Sequence, residues 1–363
     1  MNAKSSAPFA RVHIVGTGLL GTSAGLALSE RGVSVTLADQ SPSALALALD
    51  YGAGARRAPG DPDPDLVIVA TPPDVVAEVV CGQLEMFPGA LVMDVASVKL
   101  SIQDAVSAAS THAGRFIPTH PMAGRERGGA VSGRSDLFTA RPWVICAEAG
   151  QEADAVRALV VSLGAIPVTM TASEHDDAVA LISHVPQLVA SLTAARLQGA
   201  SEQALGLAGG GLRDVTRIAQ SDPALWIQIL AANSEPVVEQ LRELRADLDH
   251  VIDALAGVES VGSKKVLAET LSAGVSGVSR LPGKHGASTT FASLIVVIDD
   301  SPGELARLLT QLGDWGVNLE DLRLEHSPGA QVGFADLTLA KDVVDDVESQ
   351  LRDAGWRIAG ERS

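Results

Sequence analysis

Val12-His13-Ile14-Val15-Gly16-Thr17-Gly18-Leu19-Leu20-Gly21 decides the reading of this chain. A short, mostly apolar run feeds straight into G-x-G-x-x-G, and a helical stretch follows. That is the context in which three glycines at this spacing carry meaning. Gly16 permits the tight turn, Gly18 lets a backbone approach a pyrophosphate, and Gly21 lets helix and strand pack closely. The N–H groups of the helix start, at Leu19 and Leu20, would then face the phosphates. A second apolar run ends in Leu37-Ala38-Asp39. An acid there accepts hydrogen bonds from ribose hydroxyls and repels a 2′-phosphate, so the expected cofactor is NAD rather than NADP. Thr71, in Ala70-Thr71-Pro72-Pro73, ends the third run at the same edge and is a further candidate cofactor contact.

Working outward, apolar runs alternate with helical stretches through the first half of the chain. Arg11–Val15, Val33–Ala38, Leu66–Ala70, Leu91–Val95, Arg115–Pro118 and Trp143–Ala147 read as strands, and Ile166–Met170 as a closing one. The expected fold class is α/β, a Rossmann-type parallel sheet covered by helices. After Thr171 strand signals vanish and helical periodicity runs to Ala256. Asp222-Pro223 is a helix start, with Asp as N-cap and Pro at the first helical position. Pro236 implies a fresh helix near Ser234, with Val237, Leu241, Leu244, Leu248, Val251 and Leu255 along one stripe. That stripe either fills the domain's own core or packs against a second subunit, which would make a homodimer. From Gly257 to Ala287 glycine, serine and lysine dominate, as in a connecting segment. The final seventy or so residues show the order βαββαβ of a ferredoxin-like fold. The expected domains are 1-171, a Rossmann NAD-binding domain; 172-257, an all-α domain that includes the stripe suited to dimerisation; 258-288, a linker; and 289-363, a small ferredoxin-like domain. The resemblances given below imply a substrate role for the second and a regulatory one for the last.

Composition narrows the function classes. A chain of 363 residues exceeds one ordinary core. With 46% hydrophobic and 20% charged residues it is a globular sequence, and with 3% aromatics its core must be Ala, Val, Leu and Ile. A net charge of −17 argues against nucleic acid and anionic membrane as partners. No run of eighteen apolar residues and no leader-like N-terminus stand out, so a cytoplasmic protein is expected. Cys81 and Cys146 lack ligand-like spacing and read as free thiols in a reducing compartment; no metal site is expected.

The chemistry-bearing residues lie further along. His120, in Thr119-His120-Pro121-Met122-Ala123-Gly124, follows a strand end and so belongs near the cofactor edge. Ser97, in Asp94-Val95-Ala96-Ser97-Val98-Lys99, ends the preceding strand within hydrogen-bond reach of a histidine on the next one. Arg125 and Glu126 follow on the loop. His175 and His184 occur in Glu174-His175-Asp176-Asp177 and Ser183-His184-Val185-Pro186-Gln187. Arg213 and Arg217 are four apart and would share a helical face as a carboxylate clamp, or pair with Asp214 or Asp222 on the surface.

These motifs carry a resemblance. Val15–Gly21, Asp94–Lys99, His120–Gly124, Ser183–Pro186 and Gly209–Pro223, with Trp226, resemble the prephenate dehydrogenase family, which includes arogenate dehydrogenases. The resemblance implies that His120 abstracts the ring-hydroxyl proton, supported by Ser97, and that Arg217 grips the ring carboxylate. It further implies that Glu126 and His184 line the substrate pocket. Where family members often carry a second histidine, this chain has Gln187. The C-terminal motifs Asp300-Ser301-Pro302-Gly303 and Gly316-Val317-Asn318 resemble those of the ACT family, which binds amino acids. That implies an aromatic amino-acid effector at Asp300, Pro302, Gly303 and Asn318. The expected function is NAD-dependent prephenate dehydrogenase in tyrosine biosynthesis. Arogenate dehydrogenase stays open beside it, as does a non-catalytic NAD-binding amino-acid sensor. A dehydrogenase of the imine-reductase or 6-phosphogluconate type shares the plan but usually uses Lys or Asp from its helical part.

Overall fold

The computed structural model describes residues 8–124, 128–147, 149–281, 291–326 and 332–359. The chain divides into two compact units, Met1–Ala200 with Val215–Leu244, and Ser201–Asp214 with Arg245–Ser363.

In the first unit β1 (Arg11–Val15) leads through the glycine turn into α1 (Leu19–Ser29), followed by β2 (Ser34–Ala38), α2 (Pro42–Asp50), β3 (Ala55–Arg56) and β4 (Leu66–Val69). Next come α3 (Val76–Met86), β5 (Leu91–Asp94), α4 (Leu100–Ala109) and β6 (Phe116–Ile117). The six strands form one sheet in the order β3-β2-β1-β4-β5-β6. Every neighbouring pair is parallel. This order reverses between β1 and β4, which opens a crevice at the carboxyl ends of those strands. Leu66, Val67, Ile68 and Val69 are all fully buried. Leu66 and Ile68 join a cluster with Ala24, Ala27, Leu28, Leu45 and Ala48 of α1 and α2. Val67 and Val69 join Val76, Val80, Leu84, Ile102 and Val106 of α3 and α4. A continuous apolar run is what a strand needs when both of its faces are covered.

The strands that follow depart from expectation. Thr119–Pro121 (β7), Pro142–Ile145 (β8) and Ile166–Thr169 (β9) form a second, three-stranded sheet, with α5 (Gln151–Ser162) between β8 and β9. β7 and β8 are antiparallel, so Trp143 and Ile166 do not extend the parallel sheet. Pro118 explains the break. It has no N–H to continue the ladder with β5, and Thr119 N–H donates instead to the side chain of Asp94 (3.0 Å).

α6 (Ala172–Val179) starts at Thr171, where a reciprocal capping box with Glu174 satisfies the first turn. It runs through a π-helical turn, Ala180–His184, into α7 (Val185–Ala195) and a last 3-10 turn, Arg196–Gly199. By length and composition alone, Ala172–Gly199 could cross a bilayer, which corrects the expectation that nothing here could. Its buried positions, however, hold His175, Asp176, His184 and Gln187. His175 bonds His120 on β7, Asp176 bonds the start of α4 and His184 bonds Asn233, contacts that mark a helix packed on protein. α8 (Glu202–Leu205) and α9 (Gly210–Thr216) follow, then α10 (Pro223–Ala232), capped by Asp222 as the Asp-Pro pair predicts. α11 (Ser234–Ala256) begins where Pro236 required. Val237 is buried and Leu241 and Val251 half-buried, but Leu244, Leu248 and Leu255 are exposed, so half of the stripe finds no core among the described residues. The stretch 172–257, expected as one helical domain, is divided between the two units.

In the second unit α12 (Ser263–Val278) occupies much of the segment read as a linker. β10 (Phe291–Asp299), α13 (Glu304–Asp314), β11 (Asp321–His326), β12 (Val332–Ala340), α14 (Val344–Asp353) and β13 (Arg357–Ala359) follow in the expected order βαββαβ. The sheet order is β11-β12-β10-β13, all antiparallel. Leu308 and Leu312 of α13 and Val347 and Leu351 of α14 pack on Leu294, Val296, Ala335 and Leu337 of the sheet.

Candidate active site

At the crevice, Gly16 has φ +100° and a Cβ there would lie 2.4 Å from Ala70 O. A Cβ on Gly21 would lie 1.9 Å from Gly16 O. Neither position accepts a side chain without moving backbone. A Cβ on Gly18 would meet nothing, so the turn is open on the side where α1 presents its uncapped first N–H groups from Leu19 and Leu20. Asp39 is fixed by three donors: Thr17 N–H (2.6 Å), the Thr17 hydroxyl (2.8 Å) and Ser41 N–H (2.8 Å). Its carboxylate is therefore preorganised at the end of β2. Thr71 Oγ1 is buried without a hydrogen-bond partner. An orphaned hydroxyl beside Gly16 fits a site whose partner is a bound nucleotide.

Behind this edge lies a buried polar network. Lys99 and Asp94, both fully buried, form an ion pair. Lys99 Nζ also donates to Thr119 O (2.7 Å), while Asp94 accepts from Thr119 N–H, so the residue before His120 is clamped on both its backbone groups. His120 lies on β7, 9% exposed. Its Nδ1 is 2.8 Å from His175 Nε2, and His175 Nδ1 is 2.7 Å from Asp176 Oδ1. Burial first, then the neighbouring His175, Lys99 and His184, pushes the His120 imidazole well below its usual pKa, so it stands as a free base at neutral pH.

The expected partner of His120 is corrected here. Ser97 lies in the turn after β5, half-buried, and no hydrogen bond joins it to His120. His175 takes that place because the capping box at Thr171 aims the first turns of α6 at the end of β7. His184, at the end of the π-helical turn, is fully buried and lowered to about 4 by burial. Asn233 Nδ2 donates to Asp176 O (2.8 Å) and to His184 Nδ1 (3.1 Å), and Trp226 meets the His184 ring edge-on at 5.9 Å. Gln187 is buried one turn on, in α7. Glu126 lies outside the described residues.

The arginine clamp is also corrected. α9 ends at Thr216, and Arg217 opens a 3-10 turn, so Arg213 and Arg217 do not share one α-helical face. Arg217 belongs to the first unit with His120, and its turn packs against α7; Arg213 belongs to the second unit. Asp300, Pro302 and Gly303 are exposed in the turn before α13, with Gly303 at φ +97°, and Asn318 is exposed in the turn after it. The sequence alone gives His175 and Asp176 no role, shows Asp94 and Lys99 only as members of one motif, and does not single out Asn233. Burial of charged or amide side chains at motif ends was the available signal.

A doubly wound sheet, a glycine turn with a pinned acid on the next strand, and a buried imidazole at the same edge define a dinucleotide-dependent dehydrogenase with a helical second part. More narrowly, the chain belongs to the prephenate dehydrogenase family. The family model "Prephenate dehydrogenase, nucleotide-binding domain" matches residues 24–171, and "Prephenate dehydrogenase, dimerization domain" matches 171–272. A Streptomyces niveus protein named "Probable prephenate dehydrogenase NovF" is 36% identical over 94% of this chain and 98% of its own length. The prephenate dehydrogenase of Bacillus subtilis is 26% identical over 86% of this chain and 87% of its own. In fold, the chain resembles the Aquifex aeolicus prephenate dehydrogenase solved with hydroxyphenyl propionate and NAD+. That likeness has a TM-score of 0.64 at 24% identity, and covers 73% of this chain and 97% of that one.

Proposed function

We propose that this protein is an NAD-dependent prephenate dehydrogenase, which converts prephenate to 4-hydroxyphenylpyruvate and CO2 and reduces NAD. The observation that carries this reading is His120, a buried neutral imidazole whose Nδ1 is already engaged and whose Nε2 makes no hydrogen bond among the described residues. NAD held in this crevice would supply the hydride acceptor for ring C4 of the substrate. His120 Nε2 takes the proton of the C4 hydroxyl, turning that carbon into a carbonyl. The bond from the opposite ring carbon to its carboxylate then breaks; its electrons pass through the ring to the C4 oxygen, which takes a proton back as the ring becomes aromatic and CO2 departs. A positioned base of this kind contributes about 10²–10⁴-fold. Gly16, Gly18 and Gly21 seat the pyrophosphate with the N–H groups of Leu19 and Leu20, Asp39 takes the ribose hydroxyls, and Thr71 supplies its orphaned hydroxyl.

Arg217 is the proposed carboxylate clamp, with His184 and Gln187 lining the pocket and Ser97 touching the substrate hydroxyl rather than His120. In a chain of net charge −17, a dianionic substrate needs such a local cation. Arg217→Ala should raise the KM for prephenate by about tenfold or more and leave the KM for NAD in place, since a charge-assisted contact is worth about 1.5–3 kcal/mol. An unchanged prephenate KM would remove Arg217 from the clamp.

The exposed leucines of α11 and the matched dimerisation domain support a homodimer, and the absence of disulfides among the described cysteines accords with a cytoplasmic protein. The βαββαβ order of the second unit supports an ACT-type regulatory domain. Its ligand would be an aromatic amino acid at Asp300, Pro302, Gly303 and Asn318. Isothermal titration with Tyr, Phe and Trp should show heat of binding for one of them; silence from all three leaves the unit a role in assembly alone.

A further inference from the structure

We propose that Asp176 and His175 are positioning residues that fix the tautomer of His120, so that its proton sits on Nδ1 and its Nε2 is left as the acceptor. The inference rests on the reading of His120 as the base, and deepens it.

The direction of each hydrogen bond follows from the first. Asp176 Oδ1 accepts Lys99 N–H and Oδ2 accepts Leu100 N–H, each at 2.9 Å. Both backbone groups can only donate, and an ionised carboxylate can only accept. The proton in the 2.7 Å contact with His175 therefore belongs to His175 Nδ1. A neutral imidazole protonated at Nδ1 has its lone pair on Nε2, so His175 Nε2 must accept from His120 Nδ1–H across 2.8 Å. His120 is then left with a bare Nε2. In water a neutral histidine prefers the opposite arrangement, with the proton on Nε2, which could not take a hydroxyl proton. The three side chains are 0% (His175), 3% (Asp176) and 9% (His120) exposed, so water cannot substitute for a missing partner. His120 itself is held in place by the clamp on Thr119, which leaves ring orientation and tautomer as what the pair decides.

Asp176 also caps α4 from α6, so a loss of activity alone would not separate positioning from folding. Asp176→Asn separates them. With its oxygen kept on Leu100 N–H, the asparagine places its amide against His175 Nδ1 and gives up the bond from Lys99 N–H. That reverses both hydrogen bonds and moves the His120 proton to Nε2. The expected result is a fall in kcat of about 10²-fold or more, with NAD affinity and prephenate KM within a factor of about three. 15N spectra of histidine-labelled protein, with the His120 signal assigned by its loss in His120→Asn, should show Nδ1–H in the wild type and Nε2–H in Asp176→Asn. His175→Gln, whose carbonyl can still accept from His120, should keep more of the activity than His175→Leu, which cannot; this pair serves if Asp176→Asn fails to fold. A wild-type spectrum with the proton on Nε2, or equal activities for the Gln and Leu variants, overturns the proposal. Wild-type enzyme inert toward prephenate but showing Nδ1–H at His120 would overturn the functional reading and leave the tautomer assignment standing.

Discussion

Replacing His120 by asparagine is expected to lower kcat/KM for prephenate by about 10²–10⁴-fold while leaving NAD binding intact. The asparagine amide can still donate to His175 Nε2, so the buried chain from β7 to α6 keeps its hydrogen bond. What disappears is the one group able to take the hydroxyl proton. The pH dependence follows from the same environment. Burial first, then the neighbouring His175, Lys99 and His184, holds His120 well below the usual histidine pKa, so the basic form persists as pH falls past 6.5. The acid limb of kcat/KM should therefore lie below pH 6.5 and vanish in the variant. The sign for stability is linked. The unfolded state binds the proton first, so this group destabilises the fold as pH drops from 6.5 toward its folded pKa. Full activity in His120→Asn would remove His120 from the chemistry.

The second large effect concerns Lys99. Lys99→Met should cost about 3–5 kcal/mol, because it strands the Asp94 carboxylate in a fully buried setting. For a unit of this size that is a fall in Tm on the order of 10 °C. Asp94 cannot turn to solvent, since it also holds the N–H groups of Ala96 and Thr119. Lys99→Met combined with Asp94→Asn removes the unpaired charge and should recover part of the loss, although asparagine offers one acceptor oxygen where two are used. A shift of less than about 2 °C for Lys99→Met, read by calorimetry, contradicts the assignment of this pair as the clamp beneath His120.

Local rules made the nucleotide side legible. A strand, a turn and a helix that follow one another within Arg11–Ser29 are neighbours in sequence and in space, and Asp39 is placed by the strand beside them. The run Leu66–Val69 announces a strand buried on both faces. The C-terminal order was readable for the same reason, since Leu308, Leu312, Val347 and Leu351 repeat at helical spacing between alternating strands. The partner of His120 was not legible. His175 is 55 residues away, and no periodicity says which residue of a helix will meet the end of a particular strand. Ser97 was the nearest hydroxyl by strand order, and the family resemblance pointed to the same residue. Pro118 looked like a strand end, yet the chain resumes after it in another sheet, paired antiparallel with β8. Gly274 and Gly277 made Ser263–Val278 read as a connector, although Val266, Leu271, Val275 and Val278 sit at three- to five-residue steps along what is a helix.

The most direct test mixes the purified wild-type protein with prephenate and NAD+, and follows NADH absorbance with CO2 and 4-hydroxyphenylpyruvate measured in the same reaction. Release of the three in equal amounts, faster with NAD+ than with NADP+ and faster with prephenate than with arogenate, is the predicted outcome. NAD+ binding with no NADH formed from either cyclohexadienyl acid would contradict it.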